Sequence, residues 1–167
     1  MIETFIRIEG YDNYEVSNYG DVMITHNGKI LKQRKRKDGY KDTGLRKNGK
    51  VHTLNIHRLV AKAFLNNPKK KQFVDHIDNC KTNNNIKNLR WVTNRENQMN
   101  RSISNNNTSG VKGVCWNKQK KKWRASIKTY GITMHLGYYN NIEDAKNARM
   151  KKANELFGEF VNECEKE

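Results

Sequence analysis

The sequence predicts an α+β protein assembled from small modules, and three observations carry that reading. Short runs in which apolar and polar residues alternate dominate both ends of the chain. Helical spacing is confined to brief stretches bounded by start and stop signals. A polar, aperiodic stretch, RSISNNNTSG, interrupts the pattern after residue 100. At 167 residues the length itself allows one domain or two or three modules, because domains run from roughly 50 to 250 residues.

Taken in order, FIRIEGYDNYEVSNYGDVMITHNGKILKQ alternates in short runs cut by Asp-Asn, Asn-Tyr-Gly and Asn-Gly turns, which predicts antiparallel β structure whose Tyr and Val residues pack a small core. TGLRKNGKVHTL predicts a hairpin, with Asn48-Gly49 supplying the positive φ angles of a two-residue turn. Helical spacing runs from His57 to Phe64, and Asn66-Asn67-Pro68, with the only proline, ends it. Val74 to Ile77 and Leu89 to Val92 read as two strands. Thr93-Asn94-Arg95-Glu96 is a capping box that starts a helix, giving a β-loop-β-α unit. Beyond the Ser- and Asn-rich linker, VKGVCW, WRASIK and ITMHLGY predict three strands. Asn140-Asn141 followed by Glu143 and Asp144 starts a helix that runs to about Phe157, with Gly158 as its stop. The predicted division is an N-terminal β module (1–50), a central ββα module (51–100), a linker (101–107), a sheet-and-helix module (108–160) and an acidic tail (161–167) to which no role is assigned.

Charge narrows the partners. Lys and Arg total 33 against 17 acids, a net charge of +16 with pI near 9.8, the footprint expected of a protein that meets phosphate. The excess is spread, about +4 in residues 1–50, +7 in 51–107 and +5 in 108–167, so no segment is merely a basic tail. Cys80, Cys115 and Cys164 are far apart with no Cys-x-x-Cys pair, which supports neither a zinc ribbon nor a disulfide framework. No apolar run approaches the ~20 residues of a membrane span, and MIETFIRIEG lacks the order of a secretory signal. A cytoplasmic location is expected, the host cytoplasm if the gene is carried by a phage.

The segment VDHIDNCKTNNNIKNLRWVTNREN (74–97) holds the candidate chemistry. Cutting a phosphodiester requires water to lose a proton near neutral pH, and His is the side chain suited to take it, which makes His76 the candidate general base. A hard divalent cation neutralises phosphate and the leaving oxygen while taking only one or two oxygens from protein. Asp75 and the amide oxygen of Asn97 are the candidate ligands, because folding the helix across the hairpin can bring Asp75, His76 and Asn97 together. Asn88, beginning the second strand, can hydrogen-bond across the loop and fix His76.

The stretch DHIDNCKTNNNIKNLRWVTNREN resembles the His-Asn-His (HNH) nuclease motif in its His-Asn-Asn variety, found in phage and intron homing endonucleases, and NIHRLVAKAFLNNP resembles the helix leading into it. The resemblance implies a ββα-metal fold and one catalytic divalent metal, Mg²⁺ or Mn²⁺. It also implies Asp75 and Asn97 as metal ligands, His76 as base and Asn88 as the central Asn bracing the loop. Asn79-Cys80 departs from the Gly followed by Asn or Asp of many relatives. Asn tolerates the left-handed conformation, so a small strain and no loss of activity are expected. The family often carries a His at position 57; a structural hydrogen bond to the neighbouring hairpin and a substrate contact both stay open, and His57 is outside the catalytic set.

In the C-terminal strands, alternation points Trp123, Ala125 and Ile127 one way with Met134, Leu136 and Tyr138, and Arg124, Ser126, Lys128, Thr133 and His135 the other. Ile142, Ala145, Ala148 and Leu156 of the helix face the apolar side. GVKGVCWNKQKKKWRASIKTYGITMHLGYYNNIEDAKNA resembles the Apetala, or ethylene-response-factor, DNA-binding domain, whose sheet enters the major groove. That resemblance implies DNA contacts at Lys112, Trp116, Lys128 and His135, and alternation adds Arg124. Core packing is the reading for Trp123, while core and DNA contact are both open for Trp116. Lys120-Lys121-Lys122 is a solvated hairpin tip or a phosphate contact, and Gln33-Arg34-Lys35-Arg36-Lys37 a solvated loop or a backbone track. GYDNYEVSNYGDV resembles a short module that precedes this nuclease class in many phage proteins.

The expectation is therefore a site-preferring, metal-dependent endonuclease of homing or mobile-element type. It acts on double-stranded DNA as a monomer without an obligate protein partner and nicks one strand. Two alternatives stand beside it: a DNA-binding regulator with an inactive nuclease fold, and an RNA-binding protein.

Overall fold

The computed structural model describes residues 2–166, which form two compact units that divide after Asn97. In the first, β1 (Phe5–Ile8), β2 (Tyr11–Ser17) and β3 (Val22–Ile24) make an antiparallel sheet in that order. A second antiparallel sheet joins β4 (Arg34–Lys35), β5 (Lys41–Lys47) and β6 (Lys50–Asn55). Its β5–β6 turn has Asn48 at φ 50° and Gly49 at φ 76°, the paired positive angles that Asn-Gly supplies. Helix α1 (Ile56–Phe64) follows directly, and then β7 (Phe73–His76), antiparallel to β8 (Leu89–Val92), and the start of α2 (Asn94–Met99), whose last two residues belong to the second unit.

One core runs through this unit. Ile8, Val16 and Val22 of the first sheet, Leu45 of the second, Ile56, Leu59, Val60 and Ala61 of α1, and Val74 and Leu89 of the β7–β8 pair form a single buried cluster. The separate N-terminal module expected to end at residue 50 is thus not a separate packing unit. Helix α1 supplies a face against which residues of both small sheets are buried.

The second unit holds β9 (Val114–Asn117), β10 (Lys122–Thr129) and β11 (Ile132–Tyr139), an antiparallel sheet with β10 in the middle, and α3 (Ile142–Phe157). Asn141 caps α3 by accepting from the Asp144 N–H at 2.7 Å, and Gly158 at φ 51° ends it. Ala125, Ala145 and Val114 are buried together, as are Ile127, Ala153 and Phe157.

Two expectations are corrected here. A bulge between Ala125 and Ser126 shifts the β10–β11 register, so Tyr138 lies opposite Arg124 and Tyr139 opposite Trp123. Since opposed residues share a face, the extra residue moves Tyr138 to the basic side and Tyr139 to the core side. The acidic tail has a packing role: Glu165 is buried, with Arg149 Nη1 at 2.7 Å and Lys112 Nζ at 2.6 Å, and the Asn162 amide donates to the Asn100 carbonyl. Among the described residues no helix is long and apolar enough to cross a membrane.

Candidate active site

The β7–β8 pair sets Asp75 opposite Arg90 and His76 opposite Leu89. Asp75, 7% exposed, accepts from Arg90 Nε at 3.1 Å and Nη2 at 2.9 Å, both on Oδ2. A carboxylate this buried stays ionised only with such a partner. The two bonds also fix its orientation.

His76 is 4% exposed. Its Nε2 lies 3.0 Å from Asn84 Oδ1, and an amide oxygen only accepts, so Nε2 carries the proton and Nδ1 is the basic nitrogen of the neutral ring. Burial pushes the His76 imidazole below its ordinary value, against the Asn84 hydrogen bond and the charges of Asp78 and Asp75 that favour protonation. The ring is therefore in its proton-accepting form at neutral pH.

Asn88 braces the loop between the strands. Its amide donates to Asp78 Oδ1 and to the Asn83 carbonyl, each at 2.8 Å, and its Oδ1 accepts from the Asp78 N–H at 3.0 Å. The crossing of the loop is as anticipated, but these bonds reach the loop and not His76, and Asn84 is the side chain on the imidazole. Burial raises the Asp78 carboxyl, yet donors from Asn83, Cys80 and Asn88 outweigh it and hold the group below the usual carboxylate range. Asn79 in this loop has φ 60°, the left-handed conformation that Gly takes more freely.

The helix after β8 begins as the capping box requires: the Thr93 N–H donates to Glu96 Oε2 at 2.7 Å, and the Glu96 N–H to Thr93 Oγ1 at 3.2 Å. Lys71 Nζ holds the same Glu96 carboxylate at 2.9 Å. Asn97 follows, half-buried, its N–H bonded to the Thr93 carbonyl. Among the described residues no group of three or more His, Cys, Asp or Glu is set to hold a metal. Asp75 supplies an oriented carboxylate, a donor type that suits a hard divalent cation taking its other ligands from water and phosphate.

Four further residues border this site, of which sequence reasoning had named only His57, outside the catalytic set. Arg90 and Asn84 are two, and the latter is one of three successive asparagines with nothing in the sequence to single it out. The others are His57 and Tyr40. His57 is 6% exposed with Nδ1 buried and unpartnered, its ring 5.2 Å from that of His76. Burial, helped by His76 and Arg58, pushes its imidazole down to about 3, so it is neutral. Tyr40 lies 4.9 Å from His57 and 5.9 Å from His76 between ring centroids.

In the second unit, Arg124, Lys128 and His135 are exposed. Trp116 pairs with Trp123, its ring 5.2 Å away, while Arg124 pairs with Cys115, so Trp116 and Arg124 occupy opposite faces. Lys112 is engaged by Glu165 and by the Met99 carbonyl at 3.2 Å. Tyr138, 4.5 Å from His135 between ring centroids and with Lys120 Nζ 4.1 Å from its own, joins the exposed basic face.

The chain is similar to several known proteins. Residues 3–46 match the family model of the NUMOD4 motif and residues 55–99 that of HNH endonucleases. The chain is 48% identical over 102 residues to DNA endonuclease I-HmuI of Bacillus phage SP01, covering 59% of each. It is 39% identical over 148 residues to an uncharacterized HNH endonuclease of Acanthamoeba polyphaga mimivirus, covering 89% of this chain and 40% of that protein. The chain thus spans less than two thirds of these relatives' lengths. The solved structure of the HNH homing endonuclease I-HmuI, described as showing DNA binding and cleavage, superposes with a TM-score of 0.55 at 36% identity, covering 93% of this chain and 91% of that one. The Asp-His strand, the braced loop and the capped helix all fall in the segment matched by the endonuclease family, and the likeness extends over most of a solved member: the chain belongs to the HNH endonuclease family.

Proposed function

We propose that this protein is a metal-dependent DNA endonuclease of homing type, hydrolysing phosphodiester bonds in double-stranded DNA and nicking one strand per binding event. The observation that carries the reading is the pairing, at the end of one strand, of a carboxylate anchored by Arg90 with a neutral imidazole whose Nε2 is held by Asn84. Asp75 and the Asn97 amide would hold one divalent ion, Mg²⁺ or Mn²⁺. When bound, the ion would neutralise charge on the phosphate and on the leaving 3′ oxygen. His76 Nδ1 takes the proton from the attacking water, and Asn84 stabilises the resulting imidazolium through Nε2–H. Asn88 maintains the loop from which Asn84 projects.

Arg124, Lys128 and His135, with Tyr138 beside them, form the face we assign to DNA, in keeping with the resemblance of this unit to the Apetala domain. Trp116 and Lys112 are weaker members of that set, the first on the other face and the second occupied by Glu165. One active site per chain supports a monomer that nicks.

The test is Mg²⁺-dependent nicking of supercoiled DNA carrying the genomic region around the gene, with His76→Ala in parallel. Nicking by the parent that His76→Ala abolishes supports the assignment. Binding without cleavage by both, in Mg²⁺ or Mn²⁺, would replace it with the regulator reading.

A further inference from the structure

The hairpin between β4 and β5 reaches the catalytic loop. The Arg36 N–H donates to the Tyr40 carbonyl at 2.8 Å and the Gly39 N–H to the Arg36 carbonyl at 3.0 Å, which closes the turn. Lys81, from the loop after His76, donates its Nζ to the Asp38 carbonyl at 2.9 Å and lies 4.8 Å from the Tyr40 ring centroid. Gly39 has φ 90°, and a Cβ there would stand 3.3 Å from Lys81 Cδ. This close approach seats the turn on the loop. It leaves the half-buried Tyr40 ring against both His57 and His76.

The three rings form a triangle with centroid separations of 4.9, 5.2 and 5.9 Å. Asn84 holds His76 at Nε2, and the rings of Tyr40 and His57 pack against the same imidazole, whose Cβ–Cγ torsion is broad in His. His57 Nδ1 is buried without a hydrogen-bond partner, and its ring packs against those of Tyr40 and His76. Tyr40 touches both members and closes the triangle.

We propose that Tyr40 is a positioning residue for His76, supplied by the β4–β5 hairpin and acting both directly and through His57. Resting on the assignment of His76 as base, this makes the active site composite. Tyr40 belongs to the segment matching the NUMOD4 motif, whereas His57 and His76 belong to the segment matching HNH endonucleases. The N-terminal segment then has a part in catalysis as well as any part in holding DNA. The ring is the working element, since offset and edge-to-face contacts need an aromatic partner.

The experiment measures single-turnover nicking of the same supercoiled DNA at saturating protein, together with DNA affinity and the thermal midpoint, on full-length Tyr40→Phe, Tyr40→Leu, Lys81→Met and His76→Ala. Tyr40→Leu should lower the rate constant about 10- to 100-fold, the scale of a misplaced reacting group, while its DNA Kd stays within about threefold of the parent. Tyr40→Phe should retain the rate to within about threefold, and Lys81→Met should fall between. Parental nicking by Tyr40→Leu overturns the proposal, as does Tyr40→Phe being as slow as Tyr40→Leu, which would give the role to the hydroxyl. If His76→Ala nicks at the parental rate, the base assignment falls and this proposal with it. An inactive His76→Ala beside a normal Tyr40→Leu removes the positioning role alone.

Discussion

His57 carries a pH dependence that can be worked out from its burial. Its imidazole is held down to about 3 in the fold and titrates near 6.5 once exposed. Between these values the unfolded chain binds a proton that the folded chain does not, so stability falls as pH drops below about 6.5 and is unaffected above it. The loss attributable to His57 is on the order of 2 kcal/mol at pH 5. Chemical denaturation of the parent and of His57→Phe at pH 7.5 and pH 5 should show a smaller pH difference in the variant. An equal difference would assign the effect to other groups. Asp75 and His76 were legible as neighbours on one strand because that strand could be read from its local pattern. Their partners were not: Tyr40, Asn84 and Arg90 are chosen by the closing of a loop and a hairpin, and each residue type is ordinary in its local setting.

At the scale of elements, start and stop signals read well and register did not. The Thr93-Glu96 box, the Asn48-Gly49 turn and the Asn141 cap each depend on residues within a few positions of one another. Thr93→Ala is expected to destabilise the first unit by about 1 kcal/mol, the usual value of a lost cap, as measured by urea unfolding. Asn88 holds three hydrogen bonds in the loop between β7 and β8. Asn88→Ala should destabilise by roughly 2–3 kcal/mol, because partners are left unpaired, and should also slow nicking by releasing the loop that carries Asn84. Normal nicking by Asn88→Ala would break that link. The β10–β11 bulge defeated simple alternation at Tyr138, since one inserted residue reverses every later side chain.

For the whole molecule, the division after Asn97 has consequences of its own. A fragment of residues 1–97 should fold cooperatively, whereas fragments cut at residue 50 should not, because the cluster around α1 draws on both sides of that cut. Circular dichroism melts of the three pieces would decide it. In the second unit, Glu165→Ala leaves buried Arg149 without its carboxylate, a change that commonly destabilises by about 3–5 kcal/mol. With +16 overall, DNA affinity should fall steeply with salt. Arg124→Ala and Lys128→Ala should each flatten that slope if their face meets phosphate.

The sequence by itself determined the α+β class, the ends of most strands and helices, the place of Asp75 and His76 on one strand, and the basic character that points to nucleic acid. These follow from local rules: period, caps, turn residues and charge. Tertiary structure alone decided that the N-terminal strands and the ββα unit share one core, that the acidic tail packs through Glu165, and that Asn84 and Tyr40 are the neighbours of His76. Each of those outcomes is a contact between segments distant in the chain. It depends on which surfaces bury one another, and no window of sequence contains both partners.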